Sequence, residues 1–509
     1  MKRFDLKRMI ALFFVLAMIL PSTLACNKKK DEGAEGETSA NVETDVALKY
    51  DDNGYLMDDL PELDFDGATI RVLAWEENRT EFDISVDKMN TNALSAAVYM
   101  RDIRVRERLN IDVVYSYAPG SSYTYNEYLQ MADAMQSSGD GVDVFASQSR
   151  VAADLMKRGY TQDLKKVKHV DLDKPWWSQS LIENATIYDR LYFATGDISP
   201  SLFQQTMVIF FNKSMAETYI QDDLTRLGAK SLYELVDNGQ WTLGTMMEMC
   251  SGVGSSLDEK KDISDTFGFA GHPIYFEGFY YASGMRTYEV QEDGSISISP
   301  DMGSEKAHTL CEKLGDFFDT ADAVGSSSYY GNEIEAIDAW YQGRSLFFLD
   351  MANHAVVHND RGLKFGILPI PKYDTAQADY STISGIPFTL WSVSRNVKDT
   401  EMVGAFLECM SSEAYRLVTP ALYDTMLRTQ TSESVEDYEM WETIRRVVKV
   451  DCGRVLDTHT NTVKIDFFRD AVMARGEYMS AYAERKDALT QNLLALNRTM
   501  ATIETVYGN

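Results

Sequence analysis

An alternation of strand-like and helix-like segments between residues 68 and 158 constrains the fold more than any other feature. Three segments rich in β-branched and aromatic residues predict strands over 68–75, 111–117 and 142–146. Apolar side chains at helical spacing predict the helices that follow them, over 92–110, 125–138 and 151–158. This order implies a parallel sheet with right-handed crossovers. In such sheets, ligands bind at the carboxyl ends of the strands.

The alternation continues beyond this unit, which predicts an α/β protein with more than one sheet. Further strands are predicted over 190–194, 207–211, 267–270, 345–350, 365–369 and 386–393. Thr242 follows Gln240-Trp241 and has the residue type of a helix N-cap. Residues 201–206 lie between two strands in different surroundings, so we expect the chain to cross between two bodies there. From Ser412 onward the pattern is mostly helical.

The N-terminus has the features of an export signal. Four basic residues precede an apolar run over residues 9–20, and Pro21 ends the run. A run of this length is too short for a membrane-spanning helix, so residues 1–25 are predicted to be a signal peptide. Cys26 in Ser-Thr-Leu-Ala-Cys resembles the lipidation site of bacterial lipoproteins, although Thr23 stands where that pattern usually has Leu. An ordinary secretory signal that is cleaved nearby is the alternative.

Residues 26–60 begin with a polar, charged stretch that has few large apolar side chains. Such a segment buries too little surface to offset its ordering entropy, which predicts a flexible tether. The whole chain has 49 Lys and Arg against 78 Asp and Glu, a net charge of −29. A surface this acidic repels nucleic-acid phosphates and disfavours adsorption to anionic lipid.

Four further cysteines, Cys250, Cys311, Cys409 and Cys452, form no C-x-x-C pair. The first three lie on apolar faces of helical patterns, where a free thiol behaves as a small hydrophobic side chain. We therefore expect free thiols in the core rather than disulfides, although an exported protein allows either.

Three stretches together resemble the family 1 extracellular solute-binding proteins of carbohydrate ABC importers. They are LYFATGDISPSLFQQTMVIFFNKSMAE (191–217), LYELVDNGQWTLGTMMEM (232–249) and WYQGRSLFFLDM (340–351). The second leads into FGFAG (267–271) and the third into FGILPIPKYD (365–374). The resemblance covers roughly residues 68–425, and none of the stretches is a strict signature.

This resemblance implies a type II periplasmic-binding-protein fold with two lobes, a hinge and a ligand cleft between the lobes. The predicted lobes are 61–205 plus 352–415, and 206–351 plus 416–509. The implied function is binding of a carbohydrate, expected to be an oligosaccharide, by hinge closure and delivery to ABC permease subunits. The protein would be a monomer without a cofactor, lipid-anchored on the outer face of the cytoplasmic membrane. The chain has no G-x-x-x-x-G-K-[ST] motif, so it is not itself the ATPase.

A sugar site needs aromatic rings for the sugar faces and polar groups for the hydroxyls. Candidates near predicted strand ends and crossings are Trp75, Glu76, Gln148, Ser149, Asp197, Tyr275, Phe276, Tyr280, Asp350 and Ser384. Trp75 is the first choice, with burial in the lobe core as the alternative. Asp197 after Gly196 could instead stabilise a turn. Of the three aromatic residues between 275 and 280, one or two are expected in the cleft and the others in a helix core.

Enzymatic readings have weaker support in the sequence. His354 and His358 have the spacing of a zinc-binding helix, but Ala355 stands where H-E-x-x-H has its Glu. The chain contains no G-x-S-x-G motif. A carboxylate pair for glycoside hydrolysis is recognised by geometry, which a sequence does not supply. A secreted glycan-degrading enzyme therefore stays an alternative, as does a binding protein for peptides or another solute.

Overall fold

The computed structural model describes residues 49–82, 88–89, 91–138, 141–255, 261–262, 264–327, 335–427, 435–456, 465–474 and 476–507. The predicted signal peptide, Cys26 and the first part of the tether lie outside these residues. Within the described part of the chain, no helix combines the length and the apolar character needed to cross a membrane.

The described chain forms thirteen strands. They are β1 (Ala68–Trp75), β2 (Ile111–Ala118), β3 (Val144–Gln148), β4 (Met207–Asn212), β5 (Phe267–Gly271), β6 (Tyr288–Val290), β7 (Ile296–Ile298), β8 (Ala323–Gly325), β9 (Ser345–Met351), β10 (Phe365–Leu368), β11 (Thr382–Ile383), β12 (Thr389–Val393) and β13 (Val448–Lys449).

The α-helices lie between and after these strands. They are Ala93–Leu109, Tyr125–Ser138, Ser149–Lys157, Gln179–Ala185, Pro200–Gln204, Lys213–Tyr219, Gln221–Leu227, Leu232–Asp237, Leu243–Cys250, Glu277–Ala282, Glu305–Asp319, Ala336–Tyr341, His354–Asp360, Thr400–Glu413, Thr419–Leu427, Val435–Val447, Cys452–Leu456, Asp466–Ala474 and Tyr478–Tyr507.

The first sheet has the strand order β12-β3-β1-β2. Strand β1 pairs in parallel with both β2 and β3, as the β-α alternation predicts, and β12 joins antiparallel to β3. The central strand β1 is buried from Val72 to Trp75, as expected for a strand covered on both faces. Strand β3 runs two residues further than predicted, so Gln148 is its last residue. The carboxyl ends of β1, β2 and β3 therefore share one edge of the sheet.

The second sheet has the order β10-β4-β9-β5-β8. Strand β5 is parallel to β8 and β9, whereas β4 is antiparallel to β9 and β10. Because β10 pairs with β4, residues 365–368 belong to this sheet, and the chain returns to the first sheet only at β12. The boundary predicted at residue 352 is therefore not the return point. The pairing that decides this joins residues more than 150 positions apart, which no local pattern signals.

Two chain segments connect the sheets, and we call residues 199–206 and 384–389 the crossing segments. Thr206 and Ser384 form an isolated antiparallel bridge between them. The backbone N–H of Gly385 donates to the carbonyl of Gln205 over 2.6 Å. A Cβ at Gly385 would lie 3.0 Å from that same carbonyl oxygen, so the close approach favours glycine. The crossing segments are thus held directly against each other.

The helical C-terminal region contacts elements of both sheets. Helix Cys452–Leu456 packs against helix Ser149–Lys157, which follows β3 of the first sheet. Helix Val435–Val447 packs against β10 of the second sheet. Helix Tyr478–Tyr507 packs against β7 of a separate two-stranded sheet, where the side chain of Asn497 bonds both the N–H and the carbonyl of Ile296. The predicted assignment of residues 416–509 to one lobe therefore leaves out a contact with the other sheet.

Local sequence signals are confirmed in several elements. Thr242 caps helix Leu243–Cys250, since its side-chain oxygen accepts from the N–H of Thr245 over 3.2 Å. The four described cysteines are free and buried, as predicted. The segment over 190–194 forms only isolated bridges, including Ala194 with Trp391, and not the continuous strand expected from its apolar residues.

Candidate functional site

The carboxyl ends of β1, β2 and β3, together with residues 75–81, 119–124 and 148–149, form what we call the first edge. Trp75 ends β1 and is 3% exposed. Its indole N–H donates to the hydroxyl of Thr389 over 2.9 Å, where β12 begins. Glu76 follows it and is exposed. Trp75, the first choice among the predicted site residues, is therefore packed and hydrogen-bonded beside a crossing segment.

Gln148 and Ser149 lie at the same edge, at the end of β3. The Gln148 side chain is buried, donates to the Ser122 hydroxyl over 3.2 Å and accepts from the N–H of Arg150 over 3.1 Å. The backbone N–H of Ser149 donates to the carbonyl of Phe388 over 2.8 Å, and its buried hydroxyl has no hydrogen-bond partner. Both residues therefore connect the end of β3 with neighbouring loops of the first edge.

Glu81 is a central residue of this region that sequence reasoning missed. Its carboxylate is buried and accepts from the hydroxyl of Ser201 over 3.0 Å and from the hydroxyl of Thr389 over 2.7 Å. Burial raises the pKa of Glu81 to about 7, although hydrogen bonds from Thr389 and Ser201 and the charge of Arg101 act in the opposite direction. One carboxylate thus bonds both crossing segments. A short segment without strand or helix periodicity gave no signal for this role.

The carboxyl ends of the parallel strands β5 and β9, with residues 271–275 and 350–354, form the second edge. Asp350 is 2% exposed and accepts from the N–H of Met351 and bonds Nδ1 of His354, both over 2.8 Å. Nε2 of His358 lies 3.4 Å from the second carboxylate oxygen. The two imidazoles, whose spacing in the sequence resembles that of a zinc-binding helix, therefore flank the carboxylate of Asp350.

The pKa values of the three side chains in this cluster shift in different directions. Desolvation favours the neutral form of Asp350, but the bonds from His354 and His358 outweigh it and hold its pKa below the usual value. The hydrogen bond to Asp350 raises the pKa of His354. Burial lowers the pKa of His358, whose ring packs on Phe210 at 4.7 Å between centroids. Proton uptake in this cluster is thus expected first at His354.

His272 and Tyr275 complete the second edge in the turn after β5. Their ring centroids are 5.7 Å apart, and Nδ1 of His272 accepts from the N–H of Ile274 over 3.1 Å. Desolvation lowers the pKa of His272, and burial raises that of Tyr275. Both side chains are partly exposed, so this turn presents an imidazole and a phenol together.

The two edges adjoin the same pair of crossing segments. At the first edge, Trp75 bonds Thr389 and Glu81 bonds Ser201. At the second edge, the N–H of Asn353 donates to the carbonyl of Gln204 over 2.9 Å, and that of Ala352 to the carbonyl of Thr206 over 2.8 Å. The side chain of Met351 lies against Gly385 of the other crossing segment, 2.7 Å from the position that a Cβ would take there. Polar and aromatic groups from two sheets therefore border one hinge-like connection. Among the described residues, no group of three or more His, Cys, Asp or Glu side chains has a geometry suited to a metal ion.

Comparisons with known proteins identify the family and the fold of this chain. The sequence profile of the bacterial extracellular solute-binding protein family matches residues 119–443, well over half of the chain. The chain belongs to this family. A sequence comparison with curated proteins finds no match.

Solved structures show that this solute-binding protein shares the fold of its structural neighbours. An extracellular solute-binding protein from Staphylococcus aureus in complex with maltose aligns with a TM-score of 0.55 at 13% identity, over 86% of this chain and 99% of that one. A sugar transporter from Rhizobium etli in an open conformation gives 0.55 at 12%, over 84% and 100%. A cyclic α-maltosyl-1,6-maltose binding protein from Arthrobacter globiformis gives 0.52 at 11%, over 84% and 99%. The predicted periplasmic-binding-protein fold and family are confirmed.

Four of the predicted site residues lie in packed or paired positions of this solute-binding protein. Asp197 is buried and pairs with Nη2 of Arg445 over 2.9 Å, beside a cavity of about 240 Å³. Phe276 stacks on Phe318 with centroids 4.3 Å apart. The Tyr280 hydroxyl donates to the carbonyl of Arg286 over 2.9 Å. Ser384 donates to the carbonyl of Leu202 over 2.8 Å.

These four side chains have little or no exposed surface in this conformation, so contact with a ligand there would require repacking. Tyr280 lies in the buried helix Glu277–Ala282, as the alternative for part of the aromatic group states. Asp197 is held by a long-range ion pair with Arg445 and not by the turn that was its alternative. Trp75, Gln148, Ser149 and Asp350 are buried as well, but together with Glu76 and Tyr275 they lie at the two edges. Because of this position, we carry these six residues forward as the candidate site.

Proposed function

We propose that this solute-binding protein binds a carbohydrate between the first and the second edge. The observation that carries the proposal is that both edges adjoin one pair of crossing segments. A ligand that contacts both edges favours a closed arrangement, because it gains contacts there that an open arrangement does not offer. A structural neighbour in complex with maltose and another that is a cyclic α-maltosyl-1,6-maltose binding protein support a carbohydrate as the solute.

The chemistry of the two edges suits hydroxyl-rich, uncharged solutes. Gln148 and Ser149 offer amide and hydroxyl groups, and the second edge adds the imidazole of His272 and the phenol of Tyr275. A buried hydroxyl without a partner costs about 1–3 kcal/mol, so a sugar needs many such groups. We propose that Tyr275 and the rim of the first edge supply the apolar contacts.

The test is a thermal-shift screen of the chain from residue 26 onward, with Cys26→Ser, against mono- and oligosaccharides, followed by calorimetry on each hit. A bound solute raises the melting temperature through mass action. Saturable binding with the saccharide recovered unchanged is the expected result. Release of shorter products would instead favour the glycan-degrading alternative, and binding of peptides alone would move the protein to another solute class.

We further propose that the protein acts outside the cell as a lipid-anchored monomer, tethered through Cys26, and passes its solute to ABC permease subunits. The lipidation-like segment of the sequence and the solute-binding family support this assignment. Mass spectrometry of the N-terminal peptide from a membrane fraction tests it. A diacylglycerol-modified Cys26 is expected, and the Cys26→Ser variant should appear in the medium. An unmodified cysteine at position 26 in the wild-type protein would contradict the anchor.

A further inference from the structure

The loop after β2 presents an aromatic ring at the outer rim of the first edge. Tyr123 is 91% exposed, whereas most other large hydrophobic side chains at this edge are buried. Because the loop follows the carboxyl end of a parallel strand, it lies on the same side of the sheet as Trp75 and Gln148. The hydrogen bond from Gln148 to Ser122 joins this loop directly to the end of β3.

A single carboxylate holds this loop in place. Glu77 accepts from the N–H of Gly120 over 2.9 Å, from the N–H of Ser121 over 3.0 Å and from the hydroxyl of Thr124 over 2.9 Å. Desolvation opposes these bonds, yet they hold the pKa of Glu77 below its usual value. These three hydrogen bonds to the Glu77 carboxylate hold the loop that carries the exposed ring of Tyr123.

Close packing fixes the start of the loop as well. A Cβ at Gly120 would lie 2.7 Å from the Cβ of Trp75, so the loop backbone packs directly against the end of β1 at Trp75. The hydroxyl groups of Ser121 and Thr124 also bond each other over 2.8 Å. An exposed ring on a braced loop loses little conformational freedom when a ligand binds, which improves affinity.

We propose that Tyr123 is a stacking platform for an outer sugar ring of an oligosaccharide, and that Glu77 is the residue that positions it; this rests on the proposed carbohydrate-binding function. Trp75 and the crossing segments form the floor, and Tyr123 stands at the rim. In this proposal, a single sugar ring contacts the floor alone, and a longer solute extends to the rim. The length of the solute therefore decides whether Tyr123 contributes to binding.

Calorimetry on the chain from residue 26 onward, with Cys26→Ser, tests this proposal with maltotetraose, cellotetraose and xylotetraose and with glucose and xylose as probes. Tyr123→Ala is expected to weaken tetrasaccharide binding about tenfold, which corresponds to about 1.4 kcal/mol. Monosaccharide binding should stay within twofold, and Tyr123→Phe should bind like the wild type because the ring remains. Tyr219→Ala is the matched control, since Tyr219 is 45% exposed. It ends helix Lys213–Tyr219, which follows β4 at the end of the second sheet that lies opposite the second edge.

A double-mutant cycle separates positioning by Glu77 from a general structural role. Glu77→Ala should weaken tetrasaccharide binding in the wild-type background and have almost no effect in the Tyr123→Ala background. Equal losses in both backgrounds would remove the positioning role. Wild-type binding that Tyr123→Ala leaves unchanged would overturn the platform and leave the proposed function intact. A wild-type protein that binds none of the five probes would count against both.

Discussion

The two edges that adjoin the crossing segments differ in how they are held together. The first edge is joined to the crossing segments mainly by side chains, since Trp75 and Glu81 bond Thr389 and Ser201, and one backbone bond from Ser149 to Phe388 adds to these. The second edge meets them through backbone bonds of Ala352 and Asn353, while its side chains pair among themselves around Asp350. A change at the first edge is therefore felt directly at the connection between the sheets. At the second edge, charge and pH are expected to act on the side chains first.

The largest expected effect on stability comes from substitution of Trp75, the buried aromatic residue of the first edge. Trp75→Ala should lower the free energy of unfolding by about 3–5 kcal/mol, because it leaves a cavity where a buried indole packs. Trp75→Phe keeps much of the packing and loses the bond to Thr389, so about 1 kcal/mol is expected from that bond. Urea denaturation measures both. A loss below about 1 kcal/mol for Trp75→Ala would contradict the buried position described for this side chain.

The second effect concerns the buried carboxylate of the same edge. Glu81 has a pKa of about 7 in the folded protein, above its ordinary value of 4.5. The stability that it contributes is fully present below about pH 4.5 and is lost as the pH rises through about 7. Glu81→Gln should remove this dependence, so the variant gains about 3 kcal/mol relative to the wild type between pH 4 and pH 8.

Urea denaturation at pH 4, 6 and 8 measures this gain. Glu76→Gln is the matched control, because Glu76 lies at the same edge but is exposed. A difference between Glu81→Gln and wild type that does not change with pH would show that the carboxylate is not buried as described.

A smaller effect is expected at the second edge from Asp350→Asn. The amide keeps an acceptor for the N–H of Met351 but loses the charge that faces His354. A loss of about 1–3 kcal/mol in the free energy of unfolding at pH 7 is expected. Because the pKa of Asp350 is lowered, its contribution is present above the ordinary value of 3.8 and fades as the pH falls. Proton NMR should also show a lower pKa for His354 in this variant. An unchanged pKa would show that Asp350 does not act on His354.

The smallest effect should come from His354→Gln. The pKa of His354 is raised, so its stabilising contribution is present below about 6.5 and is lost as the pH rises through the folded value. His354 is partly exposed, and solvent screening limits the effect to less than about 1 kcal/mol. Thermal unfolding at pH 5.5 and pH 8 measures it, with His308→Gln as a control on helix Glu305–Asp319. A larger loss at pH 8 than at pH 5.5 would reverse the assigned direction.

Much of the first sheet followed from local sequence. The segments rich in β-branched and aromatic residues and the helical spacing between them predicted the parallel pairing of β1 with β2 and β3, and Thr242 was recognised as a helix cap. The predicted strand end agrees with the structure at Trp75, and it differs by two residues for β3, which ends at Gln148, and by one residue for β9, which ends after Asp350. Their status as ligand contacts stays a prediction, and the buried indole of Trp75 already shows why position along a strand does not decide exposure.

The sequence by itself determined the α/β class, the parallel first sheet and the likeness to solute-binding proteins, because these depend on residue periodicity and short local patterns. Only the tertiary structure decided that β10 joins the second sheet, that Asp197 pairs with Arg445 and that Glu81 bonds both crossing segments. These contacts join residues that are 120 to 308 positions apart. Which distant partners meet depends on how the sheets and helices pack, and the free energy of that packing is shared among many residues, so no short segment of the chain records it.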